Sequence, residues 1–275
     1  MLDYGLELTI IMNKIRKIGS VLKTDKDGFI INESSLDKIK SPWREAVEEI
    51  KQVYLDNLKD SVHSIYIRGS VARGVAIEGI SDIDTLAIIT KEIDRYWVRG
   101  VRTTLNKKFV FSTGIEFGFV NYNKLFEELF ESRFLIKTQS VCIFGEDVST
   151  KIEKFKADLN TASQFNRKLK EVLNNAKNGI SNNSDNDDIR EWCRWVAKRI
   201  LRAGFVLVMD KEQVFTRDLY PCYEIFAKYY PQQASKMYTA LELAINPIDD
   251  VKTIVSFIDD FGFWLESEIE SKFAV

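Results

Sequence analysis

An apolar segment that runs into a glycine–serine pair constrains the fold of this chain most. Residues 65–67 are β-branched or aromatic, which favours a strand. The strand is followed by Gly69-Ser70 and then by a predicted short helix from Val71. A helix that begins directly after such a turn presents free backbone N–H groups to an anion. The sequence therefore predicts a phosphate-binding turn at the end of a strand.

An acidic pair lies a short distance further along the chain. Asp82 and Asp84 belong to an isoleucine-rich segment, 82–90, that is predicted to be a strand. Side chains two residues apart on a strand point to the same face, so the two carboxylates are expected to lie side by side. Like charges this close repel each other unless a cation neutralises them, and a divalent metal is the usual one. Together with the turn, this pair indicates phosphoryl or nucleotidyl transfer.

A third acid, Glu116, occupies the third predicted strand, 114–121. Gly114 and Gly118 share its face, whereas the alternate positions carry apolar side chains that can pack inward. Glycine inside a strand often marks a close approach by a ligand or by another backbone. Because the two glycines leave space around the acid, we expect Glu116 to join the aspartates.

Nucleotidyl transfer gives each of these residues a role. A hydroxyl attacks the α-phosphorus of a nucleoside triphosphate and expels pyrophosphate, and two metals roughly 4 Å apart can clamp the attacking and leaving oxygens. Asp82 and Asp84 are expected to bridge two Mg²⁺ ions. Glu116 is expected either to complete the metal on the attacking side or to accept the proton of the acceptor hydroxyl as general base. Ser70 is expected to hold the β- and γ-phosphates.

Basic residues form a second group of candidates. Arg68 and Arg73 lie beside the turn and could add positive charge, although a structural or solvated role is commoner for such residues. On the predicted helix 188–209, basic residues recur at every fourth position and form a stripe that could face a bound triphosphate. The stripe consists of Arg190, Arg194, Lys198 and Arg202.

Composition narrows the classes of protein. The net charge of −2 and the pI of about 5.7 argue against a general nucleic-acid binder. Three separate cysteines without a CxxC pair indicate a reducing compartment with neither a disulfide framework nor a zinc cluster. Apolar runs are far shorter than the roughly 20 residues of a membrane span, and residues 1–20 do not resemble a signal peptide. We therefore expect a cytoplasmic protein without a membrane partner.

Hydrophobic periodicity predicts the remaining elements. Strands that alternate with helices up to residue 121 imply an α/β or α+β sheet covered on one side by helices. Beyond residue 122 the sequence is almost wholly helical, with one short strand near 141–144 and a loop at 178–188. The composition shift near residue 150 is the best domain boundary. The predicted helices include 4–22, 42–58, 122–138, 150–158, 160–177, 188–209, 217–229, 232–245 and 248–271.

The order of these features resembles the DNA polymerase β-like nucleotidyltransferase superfamily. The resemblance covers about residues 60–121 and rests on specific motifs. These are Gly69-Ser70, a short helix with Arg73-Gly74, Ser81-Asp82-Ile83-Asp84 and a later strand with a single acid. The helical second half is similar to aminoglycoside adenylyltransferases of the streptomycin/spectinomycin type. That diffuse similarity spans about 150–250 and rests on Cys193-Arg194 and 216–219.

The resemblance implies an α+β fold, in which a small mixed-sheet nucleotidyltransferase domain flanked by helices precedes an α-helical bundle. The predicted domains are a catalytic domain at 41–150 and a closing domain at 151–275, preceded by an N-terminal helical extension at 1–40 that the resemblance does not cover. The resemblance also implies transfer of AMP from MgATP to a hydroxyl of a small acceptor, in a cleft between the last two domains. Asp82, Asp84 and Glu116 take the catalytic, metal-binding positions. The implied nucleotide-binding residues are Gly69, Ser70, Arg73, Ser81, Arg194, Lys198 and Arg217.

The acceptor stays open within this resemblance. Acidic residues of the helical domain bind the cationic antibiotic in the drug-modifying enzymes, and Asp185, Asp187 or Asp188 could serve here. However, the N-terminal extension and the asparagine-rich acidic loop depart from those enzymes. Neither the nucleotide preference nor the oligomeric state follows from any motif.

Two other functions compete with a small-molecule adenylyltransferase. One is a toxin–antitoxin type of nucleotidyltransferase that modifies a partner protein or tRNA, and the near-neutral charge disfavours the tRNA version. The other is a nucleotide-binding regulatory module without activity. A module of that kind has no reason to keep three acids clustered at a cost in stability.

Overall fold

The computed structural model describes residues 14–273, which form two compact units. One unit comprises residues 22–156 and contains the sheet. The other comprises residues 14–21 and 157–273 and is helical. Residues 22–40, which the sequence assigned to an N-terminal extension, belong to the sheet unit. In the described part of the chain, no helix combines the length and the apolarity needed to cross a membrane.

The sheet unit is built on a mixed sheet with the strand order β3-β2-β1-β4. β1 pairs antiparallel with both β2 and β4, whereas β2 and β3 run parallel. The predicted strands and the predicted α+β class are therefore confirmed. The strands are β1 (Val62–Arg68), β2 (Ile83–Ile89), β3 (Ile115–Asn121) and β4 (Ser140–Gly145).

Helices cover this sheet and supply its core. The first helix, α1, buries Trp43, Val47, Ile50 and Tyr54 at helical spacing against inward side chains of the strands. It begins at Trp43, so Pro42 precedes the helix instead of opening it as the sequence predicted. The helices of this unit are α1 (Trp43–Leu58), α2 (Gly69–Arg73), α3 (Tyr96–Lys108), α4 (Tyr122–Glu127) and α5 (Phe130–Gln139).

The helical unit is arranged around one long helix, α8, which contacts most of the others. Its buried residues run from Ile189 to Met209 and provide the centre of the second core. A single π-helical turn, Ile258–Gly262, joins the last two helices. The helices are α6 (Leu159–Phe165), α7 (Leu169–Ser181), α8 (Asn186–Glu212), α9 (Leu219–Tyr229), α10 (Ala234–Ile245), α11 (Val251–Phe257) and α12 (Phe263–Phe273).

The helix predicted at 4–22 is wrong over its described residues, 14–22, which are not helical, and residues 4–13 lie outside the described part. Gly19 has a φ of +114°. The backbone N–H of Ser20 donates to Asp218 Oδ2 at 2.8 Å, and the Thr216 hydroxyl donates to the Ser20 carbonyl at 2.7 Å. These bonds use backbone groups that a helix would need for itself.

The helix predicted at 150–158 is also wrong. The chain forms one 3₁₀ turn, Val148–Lys151, and then continues without helical structure to residue 156. There Phe29 and Lys156 form an isolated antiparallel bridge, and the Ile30 N–H donates to the Phe155 carbonyl at 2.9 Å. Backbone pairing with a distant segment therefore overrides the local helical pattern.

Helix ends further along the chain also differ from the prediction. The segment 160–177 forms two helices, α6 and α7, instead of one. The predicted loop 178–188 shrinks because α7 continues to Ser181 and α8 begins at Asn186.

Gly114 and Gly118, two positions either side of Glu116, differ in the space that a side chain would have, so they provide a matched pair for testing the contact between β2 and β3. A Cβ on Gly118 would lie 2.8 Å from the Thr85 carbonyl oxygen of β2 and 3.1 Å from Leu86 Cδ1, whereas a Cβ on Gly114 would meet nothing within 4 Å. We predict that Gly118→Ala lowers the free energy of unfolding by about 1–3 kcal/mol, because backbone atoms must shift. Gly114→Ala should change it by less than about 1 kcal/mol. Urea denaturation measures both, and equal effects would contradict the close approach at Gly118.

Candidate active site

The register of three neighbouring strands places one basic and two acidic residues in a single row. Arg68 of β1 pairs with Asp84 of β2, and Asp84 pairs with Glu116 of β3. Residues directly opposite each other on adjacent strands project to the same face. The sheet therefore brings Asp84 and Glu116 together, with the guanidinium of Arg68 beside them.

Arg68 neutralises both acids in this arrangement. Its Nη2 lies 3.1 Å from Glu116 Oε2 and 3.7 Å from Asp84 Oδ1. Only 19% of the Arg68 side chain is exposed, and its Nε is buried without a hydrogen-bond partner. One positive charge thus lies between two carboxylates at the ends of adjacent strands.

The carboxyl of Glu116 is perturbed by this environment. Its pKa is raised to about 7, and partial desolvation of the carboxyl is the largest cause. A hydrogen bond with Asp84 and the charges of Asp84 and Asp82 raise the pKa further, whereas Arg68 lowers it. Glu116 can therefore hold or release a proton near neutral pH.

Asp82 and Ser81 lie in the segment that leads into β2. Asp82 is exposed, one residue before the strand, and is close enough for its charge to act on Glu116. The Ser81 hydroxyl accepts a hydrogen bond from the Ile77 N–H at 2.9 Å, and the Ser81 carbonyl accepts one from Thr113 at 3.0 Å. Ser81 therefore shapes the loop before the acids, and its contact with a nucleotide stays a prediction.

The glycine–serine turn lies directly beside Asp84. Gly69 has a φ of +73°, and a Cβ at this position would be 3.1 Å from Asp84 Oδ2. Glycine therefore permits both the turn and its close approach to the carboxylate. Ser70 follows at the start of α2 and is half-buried. Arg73 is buried, and its Nε donates to the Gly69 carbonyl at 3.4 Å, which supports the turn from within.

A buried hydrogen-bond network holds β2 and β3 in register beneath the acids. The Thr85 hydroxyl donates to the Glu116 carbonyl at 2.6 Å. The Tyr54 hydroxyl lies 2.7 Å from the Thr85 hydroxyl and donates to the Gly118 carbonyl at 3.2 Å. Because Thr85 and Tyr54 are fully buried, these bonds are costly to break.

The sequence reasoning missed this network and did not place Arg68 between the two acids. A signal existed for each. Thr85 is an uncharged polar residue between Asp84 and the apolar run 86–89, and Arg68 is the last residue of the strand that ends at the glycine–serine turn. Neither signal alone could reveal that Arg68 lies between the two acids.

The acids fit a divalent metal by their chemistry, but not in their present arrangement. Within residues 14–273, no group of three histidine, cysteine, aspartate or glutamate side chains is arranged to hold a metal ion. Asp84 and Glu116 offer the carboxylate oxygens that Mg²⁺ prefers, and their side chains are within hydrogen-bonding reach of each other. The guanidinium of Arg68 contacts one oxygen of each of these carboxylates.

The predicted nucleotide-binding residues of the helical unit belong to α8 and to the segment before α9. Arg194 is exposed on α8, and Lys198 follows one turn later. Arg217 precedes α9, and its carbonyl accepts a hydrogen bond from Arg202 Nε at 3.4 Å. Closure of these side chains over a nucleotide stays a prediction.

The acidic segment before α8 has a structural role. Asp185 caps the helix, because its Oδ1 accepts the N–H groups of Asp187 and Asp188 at 2.8 and 3.2 Å. Asp187 forms an ion pair with Arg190 at 2.8 Å. Helix capping thus accounts for Asp185 without a ligand, and a role of this segment in acceptor binding stays a prediction.

A groove of about 500 Å³ lies along β4, at the edge of the sheet. It is lined by residues of β4 and by Asn32, Ser34, Asp147 and Ser149. The lining includes none of the predicted site residues, so this groove is separate from the row of acids.

Solved structures similar to this chain exist, whereas no curated protein matches it. Among solved structures, the chain is similar to a crystal structure of spectinomycin adenyltransferase AAD(9) from Enterococcus faecialis with ATP and spectinomycin. The sequence identity is 12% and the TM-score 0.49, and the match covers 82% of this chain and 98% of that chain.

The family comparison concerns the part of the chain that carries the acids. Residues 44–170 match the model of the nucleotidyltransferase domain family, and this range contains all four strands and the glycine–serine turn. This range is somewhat less than half of the chain, and its match supports the prediction that the protein is a nucleotidyltransferase.

Proposed function

We propose that this nucleotidyltransferase transfers AMP from MgATP to a hydroxyl of a small acceptor. One observation carries the proposal: Asp84 and Glu116 lie side by side, next to the turn at Gly69-Ser70. Adjacent carboxylates beside a turn of this kind suit the binding of a metal–triphosphate complex. The match to the nucleotidyltransferase domain supports the reaction class.

In this proposal, residues of the sheet unit bind the metal ions, hold the triphosphate and accept the proton of the acceptor hydroxyl. Asp82, Asp84 and Glu116 would hold two Mg²⁺ ions, which when bound supply positive charge to the α-phosphate and to the leaving pyrophosphate. Gly69 and Ser70 hold the triphosphate. Glu116 either serves as a metal ligand on the attacking side or accepts the proton of the acceptor hydroxyl. A pKa near 7 suits the second role, because a general base is most effective when its pKa lies near the working pH.

The sequence resemblance supplies the remaining nucleotide contacts of this proposal. Arg194, Lys198, Arg217 and Arg73 add positive charge for the phosphates, and the Ser81 hydroxyl donates a hydrogen bond. The near-neutral charge of the chain favours a small acceptor over a nucleic acid, and the sequence resemblance favours an aminoglycoside-type antibiotic. An acceptor hydroxyl must reach the α-phosphate from the side of Glu116.

An acceptor screen tests the proposed reaction. We predict that the protein, Mg²⁺ and ATP labelled at the α-phosphate yield a labelled drug and pyrophosphate when an aminoglycoside or lincosamide acceptor is present. Asp84→Asn should abolish both products, because it removes a carboxylate that binds metal. Label in RNA or in a protein band would instead support the toxin–antitoxin alternative. The inactive module would be supported if Asp84→Asn leaves ATP binding unchanged and no acceptor causes release of pyrophosphate from ATP.

The role of Glu116 is tested by a variant that keeps its shape. We predict that Glu116→Gln lowers turnover by about two to four orders of magnitude, because the amide cannot accept the proton or neutralise a metal. Nucleotide affinity should change little. Glu92→Gln, an exposed acid in the loop after β2, is the matched control and should turn over like wild type. Wild-type turnover in Glu116→Gln would remove this residue from the mechanism.

The raised pKa of Glu116 predicts a pH-dependent affinity for metal. The carboxylate form binds a cation, so the affinity for Mn²⁺ should rise as the pH increases through about 7 and then level off. Below that pH, the dissociation constant should increase by up to about tenfold per pH unit, since one proton competes with the metal. Calorimetric titrations at several pH values measure this. Glu116→Gln should lose this dependence, and an unchanged slope in that variant would assign the proton to another group.

A further inference from the structure

Arg68 holds a position that the strand register fixes. It is the last residue of β1, and its partner across the sheet is Asp84, whose other neighbour is Glu116. The Arg68 Nη2 contacts a carboxylate oxygen of each acid, at 3.7 Å and 3.1 Å. The guanidinium therefore occupies the space where a shared metal ion would contact the same oxygens.

The hydrogen bonds of this guanidinium are incomplete. An arginine side chain has five N–H donors, yet Arg68 Nε is buried without a partner. A buried unpaired donor is unfavourable, and an anionic oxygen that accepts from it would relieve the cost. Since Gly69 and Ser70 follow directly in sequence, a phosphate bound at the turn would lie beside Arg68.

The other arginine next to the glycine–serine turn, Arg73, supports the turn itself. Arg73 is more deeply buried, and its Nε donates to the Gly69 carbonyl within its own turn. Arg68 directs its charge at two of the acids that are proposed to bind metal. A cation held at these carboxylates lowers their affinity for a metal ion.

We propose that Arg68 is a positioning residue that competes with the divalent cation for Asp84 and Glu116 and transfers to a phosphate oxygen when the nucleotide binds. Metal binding is then weak without nucleotide and strong with it, because the triphosphate draws the guanidinium away from the acids. This coupling rests on the proposed function, since it requires metal and triphosphate at the same site. It makes the acids available to the metal when substrate is present.

The test compares Mn²⁺ binding by calorimetry in wild type and in Arg68→Met, with and without a non-hydrolysable ATP analogue. Without nucleotide, Arg68→Met should bind Mn²⁺ about tenfold more tightly, because a competing positive charge is gone. The analogue should strengthen Mn²⁺ binding in wild type at least about tenfold more than in Arg68→Met, since the coupling between the two ligands is lost. Arg68→Lys keeps the charge and should stay close to wild type without nucleotide.

Controls separate competition from general charge and from misfolding. Arg99→Met removes an exposed cation of α3 from the same unit and should leave both affinities unchanged. Thermal melts establish that each variant is folded, and Arg68→Gln replaces Arg68→Met if the apolar side chain prevents folding. Mn²⁺ affinity in the neutral variant within about twofold of wild type, or an undiminished effect of the analogue, overturns the proposal.

A further variant distinguishes this failure from failure of the proposed function. If Asp84→Asn weakens Mn²⁺ binding while the neutral Arg68 variant matches wild type, the metal site is supported and the proposed role of Arg68 is wrong. If wild type does not bind Mn²⁺, or if Asp84→Asn binds it as tightly as wild type does, the metal site itself is wrong. The proposed function and the proposed role of Arg68 are then both contradicted.

Discussion

The pairing of β2 with β1 and β3 is the constraint on which the candidate site depends. Side chains alternate across a strand, so a slip of one residue would turn Asp84 to the opposite face and separate it from Arg68 and Glu116. On the core face of the sheet, the buried Thr85 hydroxyl donates to the Glu116 carbonyl and stabilises this register. Gly118 contributes by permitting close contact between β3 and β2. The positions of Asp84 and Glu116 therefore depend on interactions on the core face of the sheet.

Two adjacent carboxylates at the ends of strands repel each other and lower the stability of the fold, which a domain without catalytic activity has little reason to retain. Arg68 reduces this repulsion, and so does a proton on Glu116, whose pKa is raised to about 7. In the proposed reaction both would be exchanged for the charge of a metal ion, since a proton can dissociate and a guanidinium can be displaced. The groups that stabilise the carboxylate pair without a ligand would then be the groups that the metal replaces.

The sequence predicted the fold best where local pattern and tertiary environment agree. The strands at 62–68, 83–89 and 115–121 are short, mainly apolar runs, and the first half of the long helix α8 buries residues at helical spacing between Ile189 and Ile200. The prediction failed at 14–22 and 150–158, where residues with a helical pattern bond to distant parts of the chain. Ser20 bonds to Thr216 and Asp218, and such contacts across almost 200 residues have no local signature.

For the candidate site, the sequence by itself determined which acids are present, which turn accompanies them, and that residues 44–170 match the nucleotidyltransferase domain family. It could do so because each motif spans only a few residues and side-chain alternation is a local property of a strand. Only the tertiary structure decided which side chains meet. The contact between Arg68 and Glu116 joins residues that are 48 positions apart. It arises from the order and register of three strands, which depend on the packing of the whole sheet.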